Sequence, residues 1–208
     1  MNISGIILGI GINLGSIISY IPQFHAIVKH KSVEGISEAS LIIANMGMMC
    51  LTMNSLIFSW ESFFCLGSLK TQECLSNLTP FITITISWLM VLIYYIIFII
   101  YKFRDAEKRL LSGLNYVFTY LLVLLLVISL ALGEKMQGNN KFFTIYANVL
   151  GIASAIFNGL VYIPQIYLLI KNKSSKNLSL VTYLIQTQET LLISSFKLYY
   201  IEHLFLLG

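Results

Sequence analysis

The chain has 208 residues, of which 57% are apolar and 11% charged, and its mean hydropathy is +0.83. Soluble domains carry about 25% charged residues, so this composition excludes an ordinary soluble protein and indicates an integral membrane protein. The formal net charge of +4 suits loops that face anionic lipid headgroups, and no nucleic-acid partner is needed to explain it.

Six apolar segments follow one another along the chain, each of about 20 residues or more, as a membrane-spanning helix requires. They cover residues 3–28, 39–60, 80–101, 114–132, 142–170 and 178–199. The connections between them are too short to form a soluble domain. The sequence therefore predicts an all-α, multi-pass membrane protein.

Lysine and arginine side chains are unevenly distributed between the two sides of the predicted membrane. The loops after the first, third and fifth segments carry nine of them, whereas the other loops carry three, Lys70, Lys135 and Lys141. Cytosolic loops carry the excess of positive charge, so the first set of loops is predicted to be cytosolic. The N-terminus is then expected to be luminal or extracellular.

The non-cytosolic loop between the second and third segments contains two cysteines and a glycosylation sequon. Cys65 and Cys74 would meet oxidising conditions there, and their spacing allows a disulfide without deciding its geometry. Asn77 begins the sequon, which Pro80 follows directly, and Asn2 begins another on the same side. The two cysteines are therefore a candidate disulfide, and the two asparagines are candidate glycosylation sites.

The most informative pattern is an internal repeat. The tetrapeptide Tyr20–Gln23 recurs, residue for residue, as Tyr162–Gln165, and a Lys-rich loop follows each copy. Proline in a helix leaves the carbonyl four residues earlier unpaired, here Ile18 and Leu160. In lipid such a group must be satisfied by neighbouring helices or by a water-filled cavity. One proline alone indicates no more than a kink, but the matched pair indicates a shared functional geometry.

Small and polar residues recur every three or four positions before each tetrapeptide, so they share one helix face. Close helix packing accounts for the glycines. Unpaired amides are costly in lipid, so the asparagines and glutamines indicate a polar cavity. The two stripes consist of Gly5, Gly9, Asn13, Ser16, Tyr20 and Gln23, and of Asn148, Gly151, Ala155, Asn158, Tyr162 and Gln165.

Three predicted crossings lie between the two copies, which are in the first and fifth segments, so both copies run through the membrane in the same direction. Parallel repeats with broken helices between them are one design of alternating-access transporters. We therefore expect a first three-helix unit (1–103), a loop and inversion helix (104–140) and a second unit (141–208). Residues 200–208 are too few for another crossing. Either the sequence is truncated, the sixth segment is longer than drawn, or a partner subunit or second copy supplies the missing helix.

Glu189 is the one acidic residue near the middle of a predicted span. An acid in this position is a functional hypothesis by default. Thr182, Gln186 and Lys197 share its helix face. Burial favours the neutral form of a carboxyl group, so Glu189 can exchange protons and couple them to a solute. The alternative is a static ion pair with Lys197.

The doubled Tyr-Ile-Pro-Gln, followed by the sequence Lys-Ser-Val-Glu-Gly-Ile-Ser at 31–37, resembles the PQ-loop family. That family includes lysosomal cystine and cationic amino-acid exporters and is related in fold to the SWEET sugar transporters. The resemblance implies a 3+1+3 helix architecture, with Pro22 and Pro164 as hinges and Gln23 and Gln165 near the cytosolic gate. Cystinosin-like members carry a proton-coupling Asp where this chain has Gln186, and Glu189 one turn later is the expected substitute.

These observations lead to one expected function and two alternatives. We expect export of a small polar solute, first of all cystine or a cationic amino acid, from the lumen of a lysosome, vacuole or other acidic organelle to the cytosol, with protons as a possible coupling ion. A SWEET-like sugar facilitator and a non-transporting receptor or membrane chaperone are the alternatives. No catalytic or metal-binding constellation is present in the sequence, so we expect neither enzyme activity nor a cofactor. The expected solute-binding residues are Asn13, Ser16, Tyr20, Asn45, Asn158, Tyr162 and Gln186.

Overall fold

The computed structural model describes residues 3–60, 62, 71–103 and 140–172, and, between the last two ranges, residues 113, 116–117, 119–121, 123–124, 126–128 and 130. Among these residues there are helices and no strand. The helices are α1 (Ile3–His30), α2 (Glu38–Phe58), α3 (Thr71–Lys102), α4 (Asn140–Leu160) and α5 (Tyr162–Asn172). The predicted all-α fold class is confirmed.

Three stretches in the described part of the chain are long and apolar enough to cross a membrane: Glu38–Phe58, Leu78–Lys102 and Thr144–Asn172. A helix rises about 1.5 Å per residue and a bilayer core is about 30 Å thick, so 21 residues or more can span it. Many isoleucine and leucine side chains on these helices are exposed, Ile96 and Ile152 among them. Lipid is the medium that suits such faces, which agrees with the predicted membrane protein.

The third helix differs from its prediction. The sequence placed its start at Pro80, but α3 begins at Thr71 and contains Pro80 and the backbone of Asn77. Its apolar span begins at Leu78. Hydropathy locates the part of a helix that lipid covers, whereas the end of the helix can extend beyond the lipid into water.

The two repeated prolines affect their helices differently. Pro22 lies inside α1, which continues to His30. At the second copy, α4 ends at Leu160, whose carbonyl Pro164 leaves unpaired, and α5 begins at Tyr162. The residue between them is a turn, although its N–H still donates to the Phe157 carbonyl oxygen at 3.0 Å. The second copy therefore contains a helix break that the first copy lacks.

The loop between α1 and α2 is a compact turn. Lys31 ends α1 in the left-handed region, with φ of 47°. The Ile36 N–H then donates to the Val33 carbonyl oxygen at 3.1 Å. Gly35, with φ of 90°, occupies the position where a type II turn requires positive φ. Ser37 caps α2 through a hydrogen bond from the Ser40 N–H to its hydroxyl.

Within the first unit, α3 packs against both α1 and α2 and lies between them. Its buried residues Tyr95 and Phe98 form a core with Ile27 of α1, Ile36 of the loop and Leu41 of α2. Lys102 at the end of α3 forms an ion pair with Glu38 at the start of α2. This end of the bundle also contains Lys31 and Lys171 and is called the basic end below.

The main contact between the two units is the packing of α2 against α4, and α2 also contacts α5. Gly47 of α2 faces Asn158 and Phe157 of α4, and Gly151 of α4 faces Asn54 of α2. The Asn54 amide Nδ2 donates to the Ala147 carbonyl oxygen at 2.6 Å. Small residues therefore allow the two helices to approach closely, as is common at membrane helix interfaces. The Asn54 hydrogen bond adds a polar contact between them.

Gly47→Val is expected to lower the free energy of unfolding by about 1–3 kcal/mol, the usual range for overpacking. The reason is that a β-carbon at position 47 would lie 2.9 Å from Asn158 Oδ1 and 3.1 Å from the Phe157 β-carbon. The measurement is the thermal unfolding midpoint of purified protein in detergent. Gly15→Val is the matched control, because nothing lies within 4 Å of a β-carbon there. Equal midpoints for the two variants would contradict the close approach of α2 and α4.

Candidate functional site

A cavity of about 460 Å³ lies where the two units meet, and it is called the central cavity below. Its size falls within the range of about 300–1,000 Å³ that is typical of small-molecule sites. Helices α1, α2 and α3 form one side, and the end of α4 with the start of α5 forms the other. Its polar lining consists of Ser16, Tyr20, Ser37, Ser40, Ser87, Tyr94, Asn158, Tyr162 and Gln165.

On the first-unit side, hydroxyl groups are held by hydrogen bonds within and between helices. The Ser87 hydroxyl of α3 donates to the Ser16 hydroxyl of α1 at 3.4 Å. The Ser19 hydroxyl donates to the Ser16 carbonyl oxygen at 2.7 Å. Tyr20 lies beside these groups and stacks on Phe24 with ring centroids 6.0 Å apart, and Tyr94 meets its ring edge-on at 6.4 Å. These contacts fix the tyrosine ring in the wall.

On the second-unit side, Asn158 and Tyr162 form the wall. The Asn158 amide Nδ2 donates to the Ser154 hydroxyl at 3.3 Å, so the amide is oriented from within its own helix. Tyr162 is 55% exposed, and among the described residues it has no stacking partner like those of Tyr20. The same residue of the repeat is therefore fixed in one copy and less constrained in the other.

Gln165 joins the two units at the basic end of the cavity. Its Nε2 donates to the Gly35 carbonyl oxygen at 2.8 Å, and its Oε1 accepts from the Ser37 N–H at 2.9 Å. Gln165 is only 6% exposed, so water has little access to these groups. The glutamine of the second Pro-Gln pair thus holds the loop that follows the first pair.

The structure brings together five of the residues singled out in the sequence: Ser16, Tyr20, Asn158, Tyr162 and Gln165. Their shared helix faces explain this grouping, because α1 and the α4–α5 pair present them to the same space. In the second copy the stripe is less regular than expected, since Asn148 and Ala155 are exposed.

Three other predicted residues do not line the central cavity. Asn45 is fully buried between α2 and α3, and its Nδ2 donates to the Leu41 carbonyl oxygen at 2.9 Å and to the Val91 carbonyl oxygen at 3.5 Å. Gln23 is buried in α1. The Asn13 side-chain oxygen is buried and accepts no hydrogen bond within the described residues. Within the described part of the chain, Asn45 thus bonds to backbone groups of α2 and α3, and the gate role of Gln23 stays a prediction.

Several expectations lie outside the described residues. Gln186, Glu189, Cys65 and Asn2 are among them. For Cys74 and Asn77 only the helical backbone is described, so the disulfide and glycosylation hypotheses stay predictions.

Sequence reasoning placed α2 at the cavity through Asn45 but missed the α2 residues that line the wall, and it missed the contribution of α3 altogether. Ser87, Val91 and Tyr94 line it from α3, at spacings of four and three that place them on one helix face. Ser37 and Ser40 line it from the start of α2. The helical spacing was visible in the sequence, but the polar members are separated by apolar residues and resemble an ordinary packing face.

The described wall of the central cavity contains hydroxyl, phenol and amide groups and no charged side chain. Such groups can both donate and accept hydrogen bonds. They suit a small solute that carries several polar groups. Within the residues that the structure describes, no three His, Cys, Asp or Glu side chains come together in a way that could hold a metal ion.

Fold and cavity together define a class: a polytopic, all-helical membrane protein in which two copies of one motif meet at a polar cavity. The family model described as PQ loop repeat matches the chain over residues 5–64 and again over 146–188. The chain is a member of the PQ-loop repeat family, as the doubled tetrapeptide predicted. Membership is compatible with a transporter or a related membrane function. No curated protein and no solved structure matches the chain.

Tyr20→Ala is expected to lower the free energy of unfolding by about 2–4 kcal/mol, because it removes a packed aromatic ring. Tyr162→Ala is expected to cost about 0.5 kcal/mol or less, since an exposed ring makes few contacts. Thermal unfolding midpoints of the two variants in the same detergent test this difference. Equal losses would show that the two copies of the tyrosine are packed alike.

Proposed function

We propose that the protein transports a small polar solute through the central cavity by alternating access between its two units. One observation carries this proposal. The cavity lies at the junction of the repeats, and its wall takes Ser16 and Tyr20 from the first copy and Asn158, Tyr162 and Gln165 from the second. A site built from two halves changes shape when the halves move relative to each other.

The helix break at the second copy supports such a movement. Proline and the turn before it leave backbone groups outside the helical ladder between Leu160 and Pro164. In the membrane such a break is tolerated where it lines a cavity, and Tyr162 and Gln165 beside it do line one. The interruption supports Pro164 as one proposed hinge, and Pro22 is its proposed partner in α1.

An amino acid is the leading solute class, with cystine or a cationic amino acid as the first choice. The support is the family resemblance to lysosomal exporters together with Glu189, the acid that the sequence predicts to lie within a membrane span. Amide and hydroxyl groups in the cavity can bind both the carboxylate and the ammonium group of an amino acid. The proposed direction is from an acidic organelle lumen to the cytosol, with protons moving alongside the solute.

A SWEET-like sugar facilitator is the second candidate, because the described cavity wall carries no charge. Sugar hydroxyls pair well with serine, asparagine and glutamine side chains. Tyr20 and Tyr94 offer aromatic rings in the same wall. A facilitator needs no titratable group, so its transport would not respond to a pH gradient.

Asn158→Leu is expected to reduce solute uptake about tenfold, because leucine matches asparagine in size but forms no hydrogen bonds with the solute. The measurement is uptake of radiolabelled amino acids and sugars by proteoliposomes across an imposed pH gradient. Asn148→Leu is the matched control, since Asn148 is exposed on the same helix and does not line the cavity.

Equal uptake by both variants would remove Asn158 from the solute site. Solute binding without any accumulation by the unmodified protein would overturn transport, and it would favour the receptor or membrane chaperone instead. Thermal unfolding midpoints of both variants confirm that they are folded before uptake is compared.

Glu189→Gln is expected to abolish substrate-dependent acidification of the cytosolic compartment, because glutamine cannot carry a proton through the membrane. A pH-sensitive dye in the receiving compartment reports the proton movement. Solute uptake down its own gradient should persist in the variant. Unchanged acidification would remove Glu189 from the mechanism, and uptake that never depended on pH would favour the sugar facilitator.

A further inference from the structure

A second cavity, of about 420 Å³, lies at the basic end and is called the outer cavity here. Unlike the described wall of the central cavity, its wall includes charged side chains, Glu34 and Lys102. Phe98 of α3 and Asn172 at the end of α5 also line it. The outer cavity is therefore lined by the loop between α1 and α2 together with the ends of α3 and α5.

The two cavities are separated by the short segment Gly35–Ser37. Gly35 lines the outer cavity, Ser37 lines the central cavity and Ile36 lines both. All three residues are buried, so the segment forms a thin wall of one loop. The cavities are thus neighbouring spaces on the two sides of this segment.

The segment is attached to each unit by a different kind of contact. On the first-unit side, the Ile36 side chain belongs to the apolar core that contains Ile27 and Phe98. On the second-unit side, the two hydrogen bonds of Gln165 hold the backbone on either side of Ile36. Apolar packing attaches the loop to the first unit, whereas one side chain attaches it to α5.

We propose that the segment Gly35–Ser37 is a gate between the two cavities and that Gln165 is its latch. When α5 rotates about the helix interruption near Pro164, the loop stays packed on the first unit. The two hydrogen bonds between Gln165 and the loop are then broken. The central and outer cavities then join into one path for a polar solute. This inference rests on the proposed transport function, which gives the path its use.

The chemistry of the latch suits repeated opening. A hydrogen bond that is exchanged for bonds to water contributes little net free energy, and an opening gate admits water to Gln165, Gly35 and Ser37. Loss of an apolar core contact would cost more free energy. Ile36 is therefore expected to stay packed in the core of the first unit when the gate opens.

Thiol accessibility tests the gate without any solute. In a background with Cys50, Cys65 and Cys74 replaced by Ser, Glu34→Cys reports the outer cavity and Ser40→Cys reports the central cavity. Purified protein is reconstituted in sealed proteoliposomes, and a membrane-impermeant maleimide is added outside. Labelling of Glu34→Cys identifies the molecules whose basic end faces outward.

The expected result is fast labelling of Glu34→Cys in every background and slow labelling of Ser40→Cys while Gln165 is present. Adding Gln165→Ala should speed labelling of Ser40→Cys about tenfold, the effect of losing two ordinary hydrogen bonds on an open–closed equilibrium. Gln165→Asn should act in the same direction, because its shorter side chain cannot reach both loop groups. Tyr167→Ala, an exposed position on the same helix, is the matched control and should change nothing.

Labelling of Ser40→Cys that is fast with Gln165 present, or that stays slow in both Gln165 variants when Glu34→Cys labels normally, would overturn the gate. Labelling that increases equally with Tyr167→Ala would also overturn it, because general loosening would then explain the effect. The labelling rates do not depend on uptake. Absence of uptake with the expected labelling would therefore refute the transport proposal and leave the gate standing.

Discussion

A side-chain amide buried in a bilayer has no water to bond with, so it must find a partner in the protein. The architecture depends on how this constraint is met. The Asn54 amide nitrogen meets it by donating from α2 to a carbonyl of α4, and the Asn45 amide nitrogen by donating to carbonyls of α2 and α3, whereas Asn45 Oδ1 accepts no hydrogen bond within the described residues. Gln165 meets it with both of its polar groups on the α1–α2 loop. Each amide therefore specifies a contact between particular helices or units that apolar packing alone would leave open.

The two copies of the repeat are identical in four residues and different in structure. The helix continues through Pro22, and it is interrupted just before Pro164. Tyr20 is held by rings from α1 and α3, whereas Tyr162 is mostly exposed. Within the described part of the chain, α3 packs along α1 beside the continuous helix of the first copy. An asymmetric pair suits a protein in which one unit supplies a fixed wall and the other moves.

The two cavities differ in the chemical character of their walls. The described wall of the central cavity is polar but uncharged, whereas the outer cavity includes Glu34 and Lys102. An uncharged polar site can bind a solute without the strong pairing that would slow its release. Charged groups at the basic end lie where water and lipid headgroups can solvate them. A solute would therefore pass from a selective site to a hydrated one.

The sequence by itself determined the membrane class, the helical fold, the repeat and five residues of the cavity, because hydropathy, helical spacing and a duplicated motif are local properties. Only the tertiary structure decided which surroundings Asn45, Ser87 and Tyr94 have. Asn45 lies on a face of α2 that could line a cavity or contact another helix. In the structure α3 packs against α2, and Asn45 donates to a carbonyl of α3. The partners of Gln165 are about 130 residues away in the chain, and no spacing rule encodes a contact between units, since it arises only when two packed surfaces meet.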